Sequence, residues 1–134
     1  MRSTAHDIAL YLEAQGFGTF AGEASWSINL SREPDEPDDA ITVYDTGGGE
    51  ALPDITLYEP TIQVRVRSES YTDAYAKAEA IRDLLILPTT RTLGASSDTF
   101  YIGIWLQSDI LSIGRDDHDR HILTTNYRIQ RQPL

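Results

Sequence analysis

The sequence contains no cysteine, and it has a single methionine among 134 residues. Without cysteine, disulfide bonds, thiolate zinc sites and cysteine nucleophiles are excluded. Long apolar runs are missing too, since no segment approaches the roughly 18 apolar residues of a membrane-spanning helix. Residues 1–7 also lack the apolar stretch of a secretion signal. We therefore expect a soluble protein with no membrane partner.

Basic residues are scarce. Lysine and arginine together number 11 against 21 aspartates and glutamates, which gives a formal net charge of −10 and a pI near 4.5. Tight nucleic-acid binding depends on basic side chains that displace counterions from phosphates. Specific DNA or RNA binding is therefore disfavoured. The length suits one domain spanning residues 1–134, large enough to bury a core.

The clearest secondary structure lies at the centre of the chain. Residues 61–67 alternate apolar and polar side chains with the two-residue period of a half-buried strand. Ser70 and Asp73 form a capping-box pattern that begins a helix, and Pro88 ends it. Small and branched apolar residues recur behind the cap at helical spacing: Ala74, Ala78, Ile81 and Leu85.

Weaker patterns flank this centre. A capping box at Thr4–Asp7 predicts a first helix, and Gly16 offers its C-cap. Apolar and β-prone residues predict four more strands, at Ser25–Leu30, Ala40–Tyr44, Phe100–Ile113 and His121–Arg131. The predicted fold is α+β, a mostly antiparallel sheet of about five strands with two helices packed on one face.

An acidic loop separates two of the predicted strands. Residues 31–39 contain two prolines and five carboxylates, namely Glu33, Asp35, Glu36, Asp38 and Asp39. These charges repel one another and do not join a strand ladder readily, so we expect an exposed loop. A second long connection, Gly47–Pro60, is rich in glycine and proline and predicts an irregular segment.

Two sets of side chains suggest a contact between subunits. In Phe100–Ile113, alternation places Tyr101 and Trp105 on the sheet face opposite the other apolar residues, and exposed apolar patches commonly mark interfaces. Arg65 and Arg67 project from the polar face of the central strand. Their simpler role is pairing with acids of the same chain, and the alternative is a contact with a neighbour's acidic loop.

Sites for chemistry are weakly supported. Residues 116–121 offer carboxylates and imidazoles, but as a calcium loop they lack glycine at the sixth position and glutamate at the twelfth. Residues 47–49 are glycines without the Lys-Ser/Thr of a phosphate-binding loop, and no Gly-x-Ser-x-Gly motif is present. We therefore predict no catalytic residue, metal or cofactor, and a protein that is not an enzyme.

An ordered set of motifs resembles a known family. Ile41–Gly48 ends in Tyr-Asp-Thr-Gly-Gly, Pro53–Asp54 follows in a loop, Ile62–Arg67 contains Gln-Val-Arg-Val-Arg, and Ser70–Ala78 opens a helix with Ser-Tyr. Over residues 41–87 this order is similar to the minor capsid, or tail terminator, proteins of long-tailed bacteriophages. The acidic loop and the last two strands show no family motif.

The resemblance implies a structural virion protein at the head–tail junction, made in the host cytoplasm. Such proteins assemble as a ring, typically hexameric, that closes the head-proximal end of the tail tube and docks with the head–tail connector. DNA would pass through without specific binding, so we expect the acidic loop or the Gly47–Pro60 connection to lie at the lumen or a ring face, where acidic groups repel phosphate. Arg65, Arg67, Tyr101 and Trp105 are then candidate subunit contacts.

Other functions remain open at this point. A head-completion or tail-completion protein of the connector would share the size and fold class. An acidic binding module would sequester a basic partner by mimicking phosphate charge. A small hydrolase would need a site built from scattered acids with His118 or His121.

Overall fold

A mixed β-sheet carries both helices of the fold on one of its faces. The structure is a computed structural model that describes residues 1–49, 57–86, 93 and 98–133. In those residues the elements are α1 (Thr4–Ala14), β1 (Thr19–Phe20), β2 (Ser27–Leu30), β3 (Ala40–Gly48), β4 (Pro60–Ser68), α2 (Tyr71–Leu85), β5 (Thr99–Arg115) and β6 (His121–Pro133). The strands form one sheet in the order β1-β2-β3-β4-β6-β5.

The sheet is mostly antiparallel. The pairs β3–β4, β4–β6 and β6–β5 are antiparallel, whereas β1–β2 and β2–β3 are parallel. The α+β class is confirmed, but the described part of the chain has six strands where about five were predicted. The additional strand is β1, an edge strand of two residues. A strand that short has no alternation for a sequence pattern to reveal.

Several strand boundaries differ from the prediction. β2 begins at Ser27 rather than Ser25, and β3 continues to Gly48 beyond the predicted end at Tyr44. The extension crosses an irregularity between Asp45 and Gly48, where Gly48 has a φ of +123°. A Cβ at Gly48 would lie 2.3 Å from the Glu59 carbonyl oxygen, so only glycine fits. Much of the predicted Gly47–Pro60 connection lies outside the described residues.

Both helices begin at serine caps. The Ser70 hydroxyl accepts a hydrogen bond from the Asp73 amide at 3.3 Å, as the sequence predicts. In α1 the cap is Ser3, which accepts from the His6 amide at 3.2 Å, so the predicted box at Thr4 was one residue late. α2 ends at Leu85, and Pro88 lies outside the described residues. Neither helix is long and apolar enough to cross a membrane.

One hydrophobic core joins the helices to the sheet. The predicted apolar faces are confirmed, because Ala5, Ile8, Ala9 and Leu12 of α1 and Ala74, Ala78, Ile81 and Leu85 of α2 are all buried. They pack against buried strand residues that include Ile28, Ile41, Val43, Ile62, Val64, Val66, Leu123, Tyr127 and Ile129. The opposite sheet face, called the outer face below, carries no helix of the described chain.

A buried polar cluster fixes the start of α1. Asp7 is 0% exposed, and its Oδ2 accepts a hydrogen bond from the Tyr101 hydroxyl at 2.6 Å. Its Oδ1 accepts from Arg2 Nε at 3.0 Å, and Arg131 Nη1 lies 3.8 Å from Oδ2. The cluster joins α1 to β5 and β6, and its partners offset the cost of burying a carboxylate.

Tyr101 therefore does not lie on the outer face. A register shift between Tyr101 and Gly103 places one extra residue, Ile102, in β5. This β-bulge brings Tyr101 and Ile104 to the core side, where they are 1% and 5% exposed, and leaves Trp105 outside. The predicted shared face of Tyr101 and Trp105 was wrong because strict alternation assumes a regular strand.

Two buried tyrosines predict a loss of stability in alkali. Burial raises the pKa of both Tyr101 and Tyr127 above the ordinary value of 10.0. For Tyr101, the hydrogen bond to Asp7 raises the pKa further. The unfolded chain then loses these protons first, so stability is intact below pH 10 and falls as the pH rises further. We expect the free energy of unfolding to drop by up to about 1.4 kcal/mol per pH unit for each tyrosine.

Urea unfolding between pH 9 and pH 11.5 measures this dependence. In Tyr101→Phe, the decrease in the free energy of unfolding per pH unit is expected to be about half that of the wild type. Tyr75→Phe, at an exposed position, serves as the control. An unchanged slope in Tyr101→Phe would contradict the prediction.

Candidate assembly surface

The acidic loop crosses the outer face of the sheet. Residues 31–39, called the acidic strap below, connect β2 to β3, which are parallel neighbours. The chain must therefore return from the end of β2 to the start of β3. It does so over the outer face, where it contacts Arg67 of β4, 3% exposed, and Arg120 before β6, 4% exposed.

Two arginines of β4 hold the strap. Arg65 Nη1 donates to Glu33 Oε1 at 2.6 Å, and Arg67 Nη1 lies 3.9 Å from Glu33 Oε2. Arg67 also donates to the carbonyl oxygens of Pro37 at 2.7 Å and Asp38 at 3.3 Å. Burial, and then the charge of Arg120, lower the pKa of the Arg67 guanidinium. The two arginines thus pair within their own chain, the simpler of the roles predicted for them.

A third arginine ties the strap to the β5–β6 turn. Arg120 is 4% exposed, and its Nη1 donates to the Asp35 carbonyl oxygen at 2.6 Å. Its Nε donates to Asp116 Oδ2 at 2.8 Å, and its Nη1 lies 3.4 Å from Asp38 Oδ1. The strap is thereby fixed at both the β4 and the β6 side.

The five strap carboxylates divide into two groups. Glu33 and Asp39 are half-buried, and Asp39 Oδ1 accepts from the Ser68 hydroxyl at 2.7 Å. Asp35, Glu36 and Asp38 are exposed. The prediction of an exposed loop thus holds for three carboxylates, while the other two attach the strap to the sheet.

A hydrogen-bonded ladder of side chains continues from the strap across the outer face. Arg65 Nε donates to Gln63 Oε1 at 3.1 Å, and Gln63 Nε2 donates to Asn126 Oδ1 at 3.2 Å. Asn126 Nδ2 then donates to Ser108 Oγ at 2.8 Å. The ladder runs from Glu33 to β5 through β4 and β6. It satisfies polar groups on a face that no helix covers.

Beyond the ladder, the outer side of β5 is apolar and exposed. Trp105 is 40% exposed, Leu111 60% and Ile113 47%. The Arg128 guanidinium lies over the Trp105 ring at 4.9 Å from its centroid. Among the predicted contact residues, Trp105 is therefore at the surface, Arg65 is half-buried, and Arg67 and Tyr101 are buried.

Sequence reasoning missed Arg120 and the exposed pair Leu111 and Ile113. Arg120 sits in a charged turn, where nothing in the local pattern distinguishes it from its neighbours. Leu111 and Ile113 do alternate with polar residues, but that pattern is equally typical of a core-facing strand. Both lie an even number of residues from Trp105 and share its face, and they are exposed because no helix of the described chain covers that face.

Asp116 and His121, in the segment considered for metal binding, make contacts within the chain. Asp116 Oδ1 accepts from the amides of His118 and Arg120, both at 3.0 Å, which closes the turn. The His121 ring packs edge-on against the Tyr71 ring, with 5.5 Å between the ring centroids. Within the described ranges, no three histidine, aspartate or glutamate side chains are placed to hold a metal ion.

Comparison with known proteins places this fold in a family. The sequence matches the family model described as bacteriophage tail terminator protein over residues 11–133. It has no significant match among curated protein sequences.

Solved structures share the fold at low sequence identity. A chain from the virion of a native gene transfer agent particle is 14% identical with a TM-score of 0.70, over 97% of this chain and 95% of the other. A second structure, known by a sequence identifier alone, is 12% identical with a TM-score of 0.50, over 98% and 97%. Because the family model spans most of the sequence, this chain belongs to the bacteriophage tail terminator family.

Proposed function

We propose that this protein forms a ring, hexameric when assembled, that caps the head-proximal end of the phage tail tube and joins it to the head–tail connector. The observation that carries the proposal is the family match over residues 11–133. A structural role in the virion tail follows from the family. The ring, its size, its two partners and its place at the head–tail junction are the proposed part.

The geometry supports a contact that repeats around an axis. β1 and β5 form opposite edges of the sheet, so a subunit presents two different surfaces to its neighbours. Repetition of such a heterologous contact closes into a ring when the rotation fits. Of the four predicted contact residues, Trp105 is exposed, and we propose that it touches the neighbouring subunit while Arg65 and Arg67 contribute by fixing the strap.

The strap suits a surface that DNA passes. Asp35, Glu36 and Asp38 project to solvent from a segment that three arginines hold in place, and the whole chain carries a net charge of −10. A rigid acidic surface repels phosphate, which lets the nucleic acid slide without being bound. We propose that the strap faces the lumen or a face of the ring.

Electron microscopy of tails made with and without this protein tests the proposed function. We expect tubes of uncontrolled length in its absence, and a ring at one end of each tube when the purified protein is added back. Tails of normal length that fail to join heads would instead assign the protein to the connector. Normal tails that join heads normally would contradict both assignments.

Neutralising the strap is expected to slow DNA passage without affecting the fold. In the variant Glu36→Gln/Asp38→Asn, two exposed carboxylates become amides. Because Asp38 also lies 3.4 Å from Arg120, we expect the free energy of unfolding to fall by no more than about 1 kcal/mol. Tails should keep their length, while the rate of DNA ejection from purified particles falls. Glu23→Gln/Asp83→Asn removes two exposed charges elsewhere and serves as the control. Unchanged ejection in the strap variant would show that the strap does not face the channel.

A further inference from the structure

The outer side of β5 carries a row of exposed apolar side chains. Leu111 lies opposite Thr124, which in turn lies opposite Arg65, so Leu111 points to the outer face. Ile113 follows two residues later, and Trp105 lies opposite Arg128 on the same face. We call Trp105, Leu111 and Ile113 the edge stripe. β5 is the last strand of the sheet in the part of the chain that the structure describes, so the stripe borders the edge of the described sheet.

The edge stripe is nearly neutral in a strongly acidic chain. Between Thr99 and Gly114 the single charged residue is Asp109, and its carboxylate pairs with Arg82 at 3.0 Å. A copy of a chain with a net charge of −10 is repelled by most of this surface but not by the stripe. A basic partner would instead be attracted to the strap. The charge distribution therefore favours a second copy of this chain as the occupant of the stripe.

The opposite edge of the sheet has a cleft of matching character. Phe20 and Leu30, both half-buried, contribute apolar walls to a cleft of about 490 Å³, and Arg32 and Asp35 also line it. β1 pairs with β2 at Ser27 and Ile28, and beyond that point no described strand pairs with β2 on this side. The cleft thus combines apolar walls with polar side chains at the edge of β2.

We propose that the edge stripe of one copy docks into this cleft of the next copy, which forms the repeating contact of the ring. The inference rests on the proposed ring and names the surfaces that build it. An apolar projection at one edge and an apolar cleft at the other give a heterologous contact, the kind that closes into a ring. Burial of the three stripe residues against the cleft removes an exposed apolar patch.

Charges at the two surfaces complement each other. Arg128 is exposed beside Trp105 and makes no ion pair with any described residue. Asp35 is exposed at the cleft, where its main-chain carbonyl, rather than its carboxylate, accepts from Arg120. Docking brings Arg128 of one copy towards Asp35 of the next. Such a pair sets the register of the contact more than its strength.

Disulfide cross-linking tests the contact directly, because the chain has no cysteine of its own. The double variant Leu30→Cys/Leu111→Cys places one thiol in the cleft and one in the stripe. Four strand spacings separate β2 from β5, roughly 19 Å, whereas a disulfide needs Cα atoms within about 7 Å. Any bond between the two positions must therefore join different copies.

The experiment uses tails assembled with the variant protein and then oxidised. We expect a ladder of covalent multimers up to the full ring in the double variant, and monomers in each single variant. Rings visible by electron microscopy without covalent multimers would overturn this contact and leave the proposed function standing. If the double variant is folded by circular dichroism but forms no ring where the wild-type protein does, the result would support the contact, because both substituted positions lie in it. Absence of rings with wild-type protein would overturn the proposed function as well.

A charge substitution gives a second, independent measurement. Leu111→Glu adds a carboxylate to the stripe at a position that is 60% exposed, so the subunit should fold normally. We expect at least a tenfold loss of ring-capped tails. Tyr75→Glu, which changes an exposed aromatic residue on α2, is the matched control and should assemble as the wild type does. Wild-type assembly by Leu111→Glu would contradict the proposal.

Discussion

Replacement of Asp7 by alanine is expected to lower the free energy of unfolding by about 4 kcal/mol. Asp7 is fully buried, and its two oxygens accept hydrogen bonds from Tyr101 and Arg2 while Arg131 lies nearby. Removing the carboxylate leaves the buried Tyr101 hydroxyl without this acceptor and Arg131 without its counter-charge. The penalty of such unpartnered groups exceeds the worth of the bonds themselves. Chemical denaturation measures the change.

Two further variants separate the causes of this effect. Asp7→Asn keeps an oxygen acceptor for Tyr101 and loses the charge, so we expect a smaller loss of about 2 kcal/mol. Asp117→Ala removes an exposed carboxylate and should change stability by less than about 0.5 kcal/mol. A loss below about 1 kcal/mol in Asp7→Ala would show that the buried cluster is not what holds α1 to the sheet.

Replacement of Arg67 by alanine is expected to cost about 3 kcal/mol of stability and to release the strap. The guanidinium is 3% exposed, and it donates to two strap carbonyl groups besides pairing with Glu33. Without it, those acceptors and the Glu33 carboxylate lose a buried partner. The strap is then expected to become sensitive to limited proteolysis within residues 31–39.

Arg32→Ala provides the matched control for Arg67. Arg32 is exposed and makes no ion pair with any described residue, so its loss should change the free energy of unfolding by less than about 0.5 kcal/mol. Protease resistance of the strap in Arg67→Ala, together with a small loss of stability, would contradict the role assigned to this arginine.

The local elements could be predicted because their causes are local. Ser70 caps α2 as the sequence predicts, and the buried residues of both helices follow from a 3.6-residue period. The strand Thr61–Arg67 was predicted within one residue at each end, since its side chains alternate without interruption. The family resemblance was also carried by residues of this central part, and the family model confirms it.

The site was predicted less completely because it depends on contacts between distant segments. The acidic loop and the arginines of β4 were each noticed, and pairing within the chain was the simpler of two interpretations. That Glu33 meets Arg65, 32 positions away, depends on the parallel pairing of β2 with β3, which sends the strap across the outer face. Tyr101 was misplaced because a single bulge reverses the alternation of β5.

By itself, the sequence determined the charge, the absence of thiol chemistry, the main elements and the family, since each depends on composition or on neighbours along the chain. The tertiary structure alone decided which carboxylates hold the strap and which remain exposed, and which apolar residues of β5 face solvent. Burial and ion pairing are properties of groups brought together by the sheet order and its irregularities. Those are set by the packing of the whole domain rather than by any local pattern.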